Sequence, residues 1–395
     1  MENLLYGMRV LDLTRVLSGP YSTMILADLG AEVIKVELPE VGDESRCFGP
    51  FQNGESAYFS SVNRGKKSIT IDLRTSQGSD IVRRLLKDCD VLVENFRPGS
   101  MDRFGLGYDQ LSRSHPHLVY ASISGFGQTG PYANRPAYDV IIQAMGGISS
   151  ITGNPGESPV RVGSSIADLS AALFGAIGIL AAWGNAKGTG LGQHVDVSML
   201  DCQMAMLENA IARYYIEDSI PGPIGSRHPT ITPFQFFRAS DGYIVLAVGN
   251  ERLWNQLCCT LDANELITDS RFVDNASRSA NQQDLERILQ EYFMRHSVEY
   301  WLENLGREGI PCGPIQDIEQ ICNDPQIAER EMLIEIEHPI AGLQKMPNSP
   351  LKFSRSKIEL TTSSPILGEH TEEILRSMLG IKEEELDVLR SEQII

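Results

Sequence analysis

The chain has 395 residues, of which 42% are hydrophobic and 22% charged, a composition that excludes a small disulfide scaffold and a largely disordered chain. Its 34 Lys and Arg residues against 52 Asp and Glu residues give a net charge of -18, which argues against nucleic acid and anionic membranes as partners. An anionic ligand would have to be bound by locally placed cations.

The N-terminal segment and the apolar runs show no pattern typical of export or membrane insertion. Met1-Glu2-Asn3-Leu4 places no basic residue ahead of an apolar stretch, so we expect no secretory signal. The longest uninterrupted apolar run, Ala171 to Trp183, is shorter than the roughly 20 residues that cross a bilayer. Seven cysteines without CxxC or Cys/His spacing indicate reduced thiols. We therefore expect a soluble, cytoplasmic protein without disulfides or a metal site.

Apolar runs and turn residues in the N-terminal half predict alternating strands and helices. In chain order these are strand Met8–Leu13, turn Arg15–Pro20, helix Tyr21–Leu29, strand Ala31–Glu37, helix Ser76–Asp88, strand Val91–Glu94, helix Tyr108–His115 and strand Leu118–Ser124. This alternation predicts an α/β fold with a parallel sheet.

The second half begins with the same alternation and then changes character. Its first elements are helix Asp168–Trp183, turn Lys187–Gly190, strand Gln193–Met199 and a helix from Asp201 to about Tyr215. Glycines and prolines between residues 220 and 225 indicate a domain boundary. Residues 226–325, with a strand at Tyr243–Val248, resemble a smaller α+β unit. Further strands and an amphipathic helix near Glu372–Leu379 follow.

Familiar cofactor and nucleophile motifs are missing from the sequence. Glu37 has the spacing of a ribose-binding acid after the first turn, but Leu17-Ser18-Gly19-Pro20 has one glycine where a dinucleotide site needs three. Pro20 also lacks the N–H that a pyrophosphate would use. Neither a Gly-x-Ser-x-Gly elbow nor a P-loop is present. We expect no nicotinamide or flavin, and the hydrolase and kinase templates fail.

Asp168 is an acidic residue in an unusual place, at the start of a helix that is otherwise apolar as far as Trp183. A carboxylate in a first turn is favoured by the helix dipole and often caps free backbone N–H groups. On local sequence alone, capping is the favoured interpretation and catalysis the alternative.

Short groups of basic residues follow several predicted strands. They are Arg64, Lys66 and Lys67, then Arg97 and Arg103, and finally Arg135. Each group is also explained as ordinary cations on the solvent-exposed surface. In a chain this acidic, however, cations at loops after parallel strands favour a phosphate-bearing ligand, because arginine offers several donors to a phosphate.

Eight segments carry a family resemblance that extends along nearly the whole chain. They are Gly7–Val16, Gly19–Pro20, Leu29–Glu37, Asn63–Ser68, Glu94–Gly99, Ser124–Gly127, Gly188–Gln193 and Leu367–Thr371. These segments resemble the class III coenzyme A transferase (CaiB/BaiF) family, which includes formyl-CoA transferase and carnitine CoA-transferase. The resemblance implies an acyl-CoA and a carboxylic acid as substrates.

The resemblance also assigns roles to residues. Asp168 matches the family nucleophile, which attacks an acyl-CoA thioester, forms a mixed aspartyl anhydride and then carries CoA as an aspartyl thioester. Backbone N–H groups near Asp168 would stabilise the oxyanions. The implied coenzyme A contacts are Val16, Leu17, Arg74, Asn95, Phe96, Arg97, Arg103, Arg135, Ala137 and Tyr138. Among these, Arg97 and Arg103 would face phosphates, and Arg135 to Tyr138 would contact pantetheine.

By the same resemblance, the fold consists of a large Rossmann-like domain formed by both chain ends, a small domain and an interlocked homodimer. The large domain would comprise residues 1–220 and 330–395, and the small α+β domain residues 226–325. The loop Gly225–Pro233 is similar to that of members acting on larger acids. Arg227 or His228 would there pair with the second carboxylate of succinate, malate or mesaconate, unless the loop only orders the domain junction.

Two rival functions remain open at this point. An α-methylacyl-CoA racemase or isomerase would use a His-Asp pair, where this chain has Tyr138-Asp139, and tyrosine is a poor general base at neutral pH. A non-catalytic CoA-binding scaffold would not need the nucleophile that Asp168 preserves. Leu17 stands where formyl-CoA transferase has glutamine, which argues against formate and oxalate as substrates.

Overall fold

A computed structural model describes residues 4–395 and divides them into two compact units. The first unit comprises the chain up to Ile148, Arg161–Ala212 and Gln326–Ile395. The second comprises Ser149–Val160 and Arg213–Pro325. Met1–Asn3, part of the segment that we used to judge the absence of a secretory signal, lie outside the described residues.

This division differs from the sequence-based boundaries around residues 149–160, which we had placed in the large domain. The Gly225 backbone N–H donates to the Gly153 carbonyl at 2.9 Å and ties this segment to the chain beyond residue 220. The second unit therefore has two segments, and its main part starts at Arg213 instead of near residue 226. A hydrogen bond between residues so far apart leaves no local sequence pattern.

Within the described residues, a sheet of six parallel strands forms the core of the first unit. Its strands are β1 (Arg9–Asp12), β2 (Glu32–Glu37), β3 (Lys67–Thr70), β4 (Val91–Glu94), β5 (Val119–Ser124) and β6 (His194–Ser198). Their order across the sheet is β3-β2-β1-β4-β5-β6. This is the order of doubly wound Rossmann-type sheets, in which ligands bind where the order reverses, here between β1 and β4.

Alternate residues of each strand pack into two different hydrophobic clusters, as the twofold periodicity of a strand requires. Leu11, Ile34 and Leu92 face one cluster, which also receives side chains from the C-terminal helices. Val10 and Val91 face the other cluster, beneath the helices that carry the site. Burial on both faces explains why the strands read as continuous apolar runs.

The helices of the first unit cover both faces of the sheet. They are α1 (Ser18–Asp28), α2 (Ala57–Asn63), α3 (Ser76–Leu85), α4 (Ser100–Arg103), α5 (Tyr108–Ser114), α6 (Asp139–Met145), α7 (Ile148–Ile151), α8 (Ile166–Thr189), α9 (Met199–Ala205) and α10 (Glu208–Glu217), followed near the C-terminus by α18 (Thr371–Leu379) and α19 (Glu383–Ser391). Helices α7 and α10 continue across the boundary into the second unit. Short 3₁₀ turns occupy Glu44–Cys47 and Leu86–Asp88, and a two-residue hairpin pairs Phe51–Gln52 with Glu55–Ser56.

Helix α8 is longer than the sequence pattern predicted. It continues through the expected turn and ends at Gly190, whose φ of 74° provides the left-handed conformation of a C-cap. In the described part of the chain it is the one helix long and apolar enough to span a membrane, with a mean hydropathy of 1.8 over its most apolar window. Of that window 44% is buried, and Ala171, Ile179 and Ala182 pack in the hydrophobic cluster on one face of the sheet.

The second unit has an antiparallel sheet of three strands within the described residues, in the order β9-β8-β7. The strands are β7 (Phe234–Arg238), β8 (Tyr243–Ala247) and β9 (Cys312–Pro314). The helices are α11 (Glu251–Thr260), α12 (Glu265–Thr268), α13 (Asn275–Ala280), α14 (Gln282–Phe293), α15 (Val298–Arg307) and α16 (Ile318–Cys322), and α17 (Pro325–Glu329) begins at the boundary with the first unit. Trp254, Phe272 and Phe293 are buried in its core. In the first unit, β10 (Leu333–His338) and β11 (Gly342–Pro347) form a hairpin.

Candidate active site

The side chain that caps α8 is Asp139, the first residue of α6. Its Oδ1 accepts a hydrogen bond from the Ala167 backbone N–H at 2.9 Å, and its Oδ2 accepts one from Gln143 at 2.7 Å. Among the described residues, no backbone N–H of α8 donates to Asp168. The capping interpretation of Asp168 is therefore wrong, and its carboxylate remains free for another purpose.

Asp168 is half-buried, and its surroundings disfavour a negative charge. Burial, with a smaller contribution from the nearby Asp139 carboxylate, raises the pKa of its carboxyl to about 7, and the nearby Ser18 hydroxyl acts in the opposite direction. Burial also raises the pKa of the Tyr58 hydroxyl, with the charge of Asp168 as the next cause. Perturbed carboxyl groups of this kind cluster at functional sites.

Close packing of α1 against α8 places Ser18 beside Asp168. A Cβ on Gly175 of α8 would lie 3.0 Å from the Ser22 hydroxyl of α1, so glycine allows this approach. At the start of α1, a Cβ on Gly19 would lie 2.3 Å from the Cβ of Thr14. The first backbone N–H groups of α1 have no partner within the helix and are available to an anionic group at this end.

Asp12, the last residue of β1, fixes the loop between β1 and α1. The fully buried Asp12 carboxylate accepts hydrogen bonds from the Thr14 backbone N–H at 2.9 Å and from the Lys66 ammonium at 3.0 Å. Lys66 also donates to the Pro20 carbonyl at 2.9 Å. Although burial opposes ionisation, the charges of Lys66 and Lys35 lower the pKa of Asp12 to about 2. Asp12 therefore stays ionised and anchors both ends of the loop.

A second buried ion pair, Lys35 with Asp43, fixes the middle of the same loop. The two side chains are 2.9 Å apart, and Lys35 also donates to the Thr14 carbonyl at 2.7 Å. Asp43 accepts a hydrogen bond from the Val16 backbone N–H at 3.1 Å. Val16 has a φ of 67°, which is unfavourable for a β-branched residue. These contacts hold the strained backbone in place, a feature typical of functional loops.

Asn95 connects the β1 loop to the loop after β4, at the point where the strand order reverses. Its side-chain oxygen accepts from the Arg15 backbone N–H at 2.9 Å, and its side-chain nitrogen donates to the Arg15 carbonyl at 2.7 Å. The Arg15 guanidinium lies 4.9 Å from the centre of the Phe96 ring. Both loops therefore form one surface.

A groove with an empty volume of about 780 Å³ opens along this surface, at the carboxyl ends of β1, β2 and β3. It is lined by Leu13, Thr14, Arg15, Lys35, Val36, Glu37, Leu38, Val41, Gly42, Asp43, Glu44, Ile71, Asp72, Leu73, Arg74, Phe96 and Phe104. Asp168 is not part of this lining. The loop connects the two places, since Arg15 lines the groove and Ser18 interacts with Asp168.

Of the residues expected to bind coenzyme A, Arg74 and Phe96 line the groove itself. Arg74 is mostly exposed and is paired with Asp72 at 2.7 Å. Val16 and Leu17 lie in the loop between the groove and Asp168, and Asn95 anchors that loop. The structure therefore brings these five residues together around one loop.

The remaining predicted coenzyme A contacts lie outside the groove lining. Arg97 and Arg103 are exposed, and Arg103 donates to the Ser100 hydroxyl at 2.9 Å. Arg135 lies over the Tyr132 ring at 4.4 Å. Two further residues lead into α6: Ala137 packs against Gly125, and Tyr138 is 74% exposed. Arg135, Ala137 and Tyr138 belong to the segment that leads to Asp139, which contacts the start of α8, whereas Arg97 and Arg103 lie after β4.

The cations around residue 65 are not available to a phosphate, contrary to the expectation from sequence. Lys66 is fully buried in the Asp12 pair, and Arg64 forms two hydrogen bonds with Asp28 at 3.0 and 2.7 Å. Lys67 is paired with Glu32 at 3.1 Å. All three cations have structural partners, because they compensate carboxylates on β1, α1 and β2.

A family model described as CoA-transferase family III matches residues 5–371. The chain belongs to CoA-transferase family III. It is therefore an enzyme that transfers coenzyme A from an acyl-CoA to a carboxylic acid. The resemblance seen in the sequence motifs is confirmed, and the racemase and scaffold alternatives are not supported.

Similar proteins cover almost the whole chain. An acetyl-CoA:oxalate CoA-transferase of Acetobacter aceti is 44% identical over 88% of this chain and 88% of its own length. A succinyl-CoA:glutarate CoA-transferase of Homo sapiens is 38% identical over 99% of this chain and 90% of its own. The crystal structure of a CaiB/BaiF family protein from Brucella suis has 39% identity and a TM-score of 0.85, covering 96% of this chain and 100% of that one.

In this family III transferase, Arg227 and His228 lie in the second unit. Arg227 donates to the Ile224 carbonyl at 3.2 Å and approaches Glu286 at 4.0 Å. The ring of His228 accepts a hydrogen bond from the Thr230 backbone N–H at 3.2 Å and lies 5.1 Å from the ring of Phe234. Both side chains therefore have contacts within their own loop.

Among residues 4–395, no group of three or more His, Cys, Asp or Glu side chains is arranged to hold a metal ion. The seven cysteines all lie in the described part of the chain and are unpaired. Glu37, considered above as a ribose-binding acid, instead accepts hydrogen bonds from Arg46 and Ser68.

Sequence reasoning missed the buried charges that shape the transferase loop. Asp12, Lys35 and Asp43 were not singled out, and Lys66 was given the wrong role. One signal was present: Asp12 and Lys35 are charged residues inside otherwise apolar strands, where a charge has to be paired. The partners themselves are distant in sequence, so the pattern does not identify them.

Proposed function

We propose that this enzyme transfers coenzyme A between dicarboxylic acids through covalent intermediates on Asp168. The single observation that supports this best is the state of Asp168 itself. Its carboxyl lies at the start of α8 without capping it, is half-buried, and has a pKa raised to about 7 by burial and by Asp139. A carboxylate desolvated in this way is a stronger nucleophile than one in water.

The first half of the proposed reaction releases the donor acid. The Asp168 carboxylate attacks the thioester carbonyl, the C–S bond breaks, and CoA thiolate leaves a mixed anhydride behind. The thiolate then attacks the aspartyl carbonyl carbon. The anhydride C–O bond breaks, the donor departs as a carboxylate, and Asp168 carries CoA as a thioester.

The second half reverses these steps on the acceptor. The acceptor carboxylate attacks the aspartyl thioester and expels CoA thiolate, which forms a new mixed anhydride. The thiolate then attacks the acceptor carbonyl, so that the new acyl-CoA leaves and the Asp168 carboxylate returns. Each stage develops an oxyanion, which the Ser18 and Gly19 backbone N–H groups at the start of α1 would stabilise by donating hydrogen bonds.

For coenzyme A we propose a path along the β1 loop, from the groove to Asp168. The groove lies at the carboxyl ends of β1, β2 and β3, and Phe96 brings it up to the reversal of strand order between β1 and β4, where doubly wound sheets bind their ligands. Phe96 offers a ring for base stacking and Arg74 a cation for phosphate, with Arg97 and Arg103 as outer phosphate contacts. Val16, Leu17 and Asn95 would line the passage, and Arg135, Ala137 and Tyr138 the pantetheine end.

Dicarboxylic acids are proposed as substrates because similar enzymes act on them. The names of two relatives specify oxalate and glutarate as acceptors. Leu17 argued against oxalate, and Arg227 or His228 was expected to pair with a second carboxylate of a larger acid. The candidate acids are succinate, malate and mesaconate, and the Arg227 loop stays the contact that the sequence offered for the second carboxylate, to be tested against any cation nearer to Asp168 in the chain.

We further propose that the enzyme is a cytoplasmic homodimer whose subunits interlock. Leu173, Phe174 and Ile177 lie on the outer side of α8 and are 51%, 44% and 62% exposed. Such an apolar face on a core helix favours coverage by another subunit. The unpaired cysteines fit a reducing compartment. Light scattering on the purified protein would give the subunit number.

Intact-protein mass spectrometry tests the covalent mechanism. The enzyme is mixed with a panel of acyl-CoAs without acceptor, and samples are examined before and after hydroxylamine treatment. A mass increase of the size of CoA that maps to Asp168, disappears with hydroxylamine and is absent in Asp168→Ala supports the proposal and identifies the donor. If no donor forms an adduct although CoA binds, the proposal is wrong.

A further inference from the structure

Arg161 lies five residues before the start of α8 in the chain and has hydrogen-bond donors to spare. Its NH1 lies 3.6 Å from the Asp139 carboxylate, longer than the roughly 2.7–2.9 Å of a charge-assisted hydrogen bond. Its NH2 donates to the Gly163 carbonyl at 3.1 Å, and half of its side chain is exposed. A guanidinium has five N–H donors, so most of those of Arg161 remain available.

The backbone that carries Arg161 is fixed relative to the nucleophile. The Val162 N–H donates to the Gln143 side chain at 2.8 Å, and Gln143 in turn donates to Asp139 at 2.7 Å. Asp139 caps Ala167, the residue before Asp168. Arg161 and Asp168 are therefore connected through one side chain, Asp139, in a short and well-bonded segment.

The carboxyl groups around Asp168 would repel an acid substrate unless a cation compensates them. Asp139 and Asp168 are both carboxyl groups, and within the described residues no cation is among the groups that set the pKa of Asp168. A dicarboxylic acid would bring a further negative charge. Its two carboxyl carbons are about 4–5 Å apart in a four- or five-carbon acid, so the far carboxylate needs a cation a short distance beyond Asp168.

We infer that Arg161 binds the carboxylate of the acid substrate that does not react at Asp168, and so selects dicarboxylic over monocarboxylic acids. Arginine suits this role because its planar fork binds a carboxylate through two parallel hydrogen bonds. The Asp139 contact holds the guanidinium beside the residue that caps the start of α8 and leaves most of its donors unused. The inference rests on the proposed function and adds a residue that determines the substrate class.

The test compares acceptors of matched length in wild type and Arg161→Gln. With one acyl-CoA donor that forms the Asp168 adduct, kcat and KM are measured for glutarate and for butyrate as acceptors. The variant is expected to raise the KM for glutarate about tenfold or more and to leave kcat/KM for butyrate nearly unchanged. Arg161→Lys should retain part of the preference. Arg113→Gln, an exposed arginine on α5, is the matched control.

Three outcomes would overturn the inference. Equal losses for both acceptors, or a shift of the acid limb of the pH profile, would mean that Arg161 acts only on Asp139 and the nucleophile. An unchanged preference would mean that it binds no substrate. Loss of the preference in Arg227→Gln alone would assign the role to the second unit. If wild type forms no adduct with any donor, the proposed function fails first, and this result is distinct from the other three.

Discussion

The Asp139 carboxylate accepts a hydrogen bond from the Ala167 backbone N–H at 2.9 Å. The sequence offered Asp168 both as a helix cap and as a nucleophile, and this contact assigns the capping role to Asp139. Asp139, from a different helix, accepts the hydrogen bond of a free backbone N–H at the start of α8. Asp168 is left as a carboxyl with a raised pKa. An acid that is costly to ionise and has no structural duty is the kind of group that catalysis uses.

Asp168→Asn is expected to stabilise the folded protein at neutral and alkaline pH. The pKa of Asp168 is about 7 in the folded state and near 4 when unfolded, so the folded state holds more protons between these values and loses stability as pH rises. Asparagine removes that loss. Thermal unfolding at pH 8 should give a melting temperature higher by about 2 °C or more, with a smaller difference at pH 4. A lower melting temperature at pH 8 would contradict this account.

Activity should fall on the acid side as Asp168 becomes protonated, with a limb near pH 7 in kcat/KM. Asp139→Asn keeps an oxygen for the Ala167 N–H and removes a negative charge. The pKa of Asp168 should then decrease, and the limb should move to lower pH. Asp109→Asn, on α5, serves as the control. A limb that stays in place would show that the Asp139 charge does not reach the reacting carboxyl.

Lys66→Met should strongly destabilise the first unit. It leaves the Asp12 carboxylate buried without its partner at 3.0 Å and removes a hydrogen bond to Pro20. Breaking such a pair costs about 3–5 kcal/mol in the free energy of unfolding, measured by denaturant titration. The double variant Asp12→Asn with Lys66→Met removes the charge as well and should recover part of this loss. Equal stability of the single and double variants would contradict the pairing.

Arg74→Ala should weaken coenzyme A binding without much effect on the chemical steps. Its guanidinium lines the groove and is mostly exposed, so a lost phosphate contact should raise the KM for acyl-CoA about tenfold at similar kcat. Arg103→Ala tests the outer phosphate contact in the same way. Initial rates with Arg113→Ala as control provide the measurement. An unchanged KM in either variant would remove that residue from the coenzyme A site.

Much of the fold follows from the sequence because local patterns determine it. Continuous apolar runs such as Val91–Glu94 belong to strands buried on both faces, and their alternation with helices predicts a parallel sheet. Boundaries that depend on distant contacts do not follow. The segment 149–160 joins the second unit through the Gly153 carbonyl, which no neighbouring residue indicates.

The candidate site shows the same limit. Local pattern favoured a cap at Asp168, and the family resemblance, not composition or spacing, pointed to a nucleophile. The true cap, Asp139, is 28 residues before Ala167, from whose backbone N–H it accepts a hydrogen bond. Lys66 looked like a phosphate ligand because the sequence shows its charge but not its partner Asp12. Pairings of this kind become visible only in three dimensions.

The loop from Thr14 to Ser18 is tied to the end of β1 through Asp12 and to the loops after β2 and β4 through Asp43 and Asn95. We expect the main chain of this loop to keep its conformation when an acyl-CoA binds. An exchange of the Leu17 side chain, a proposed coenzyme A contact, would then change the surface offered to the substrate without moving the main chain.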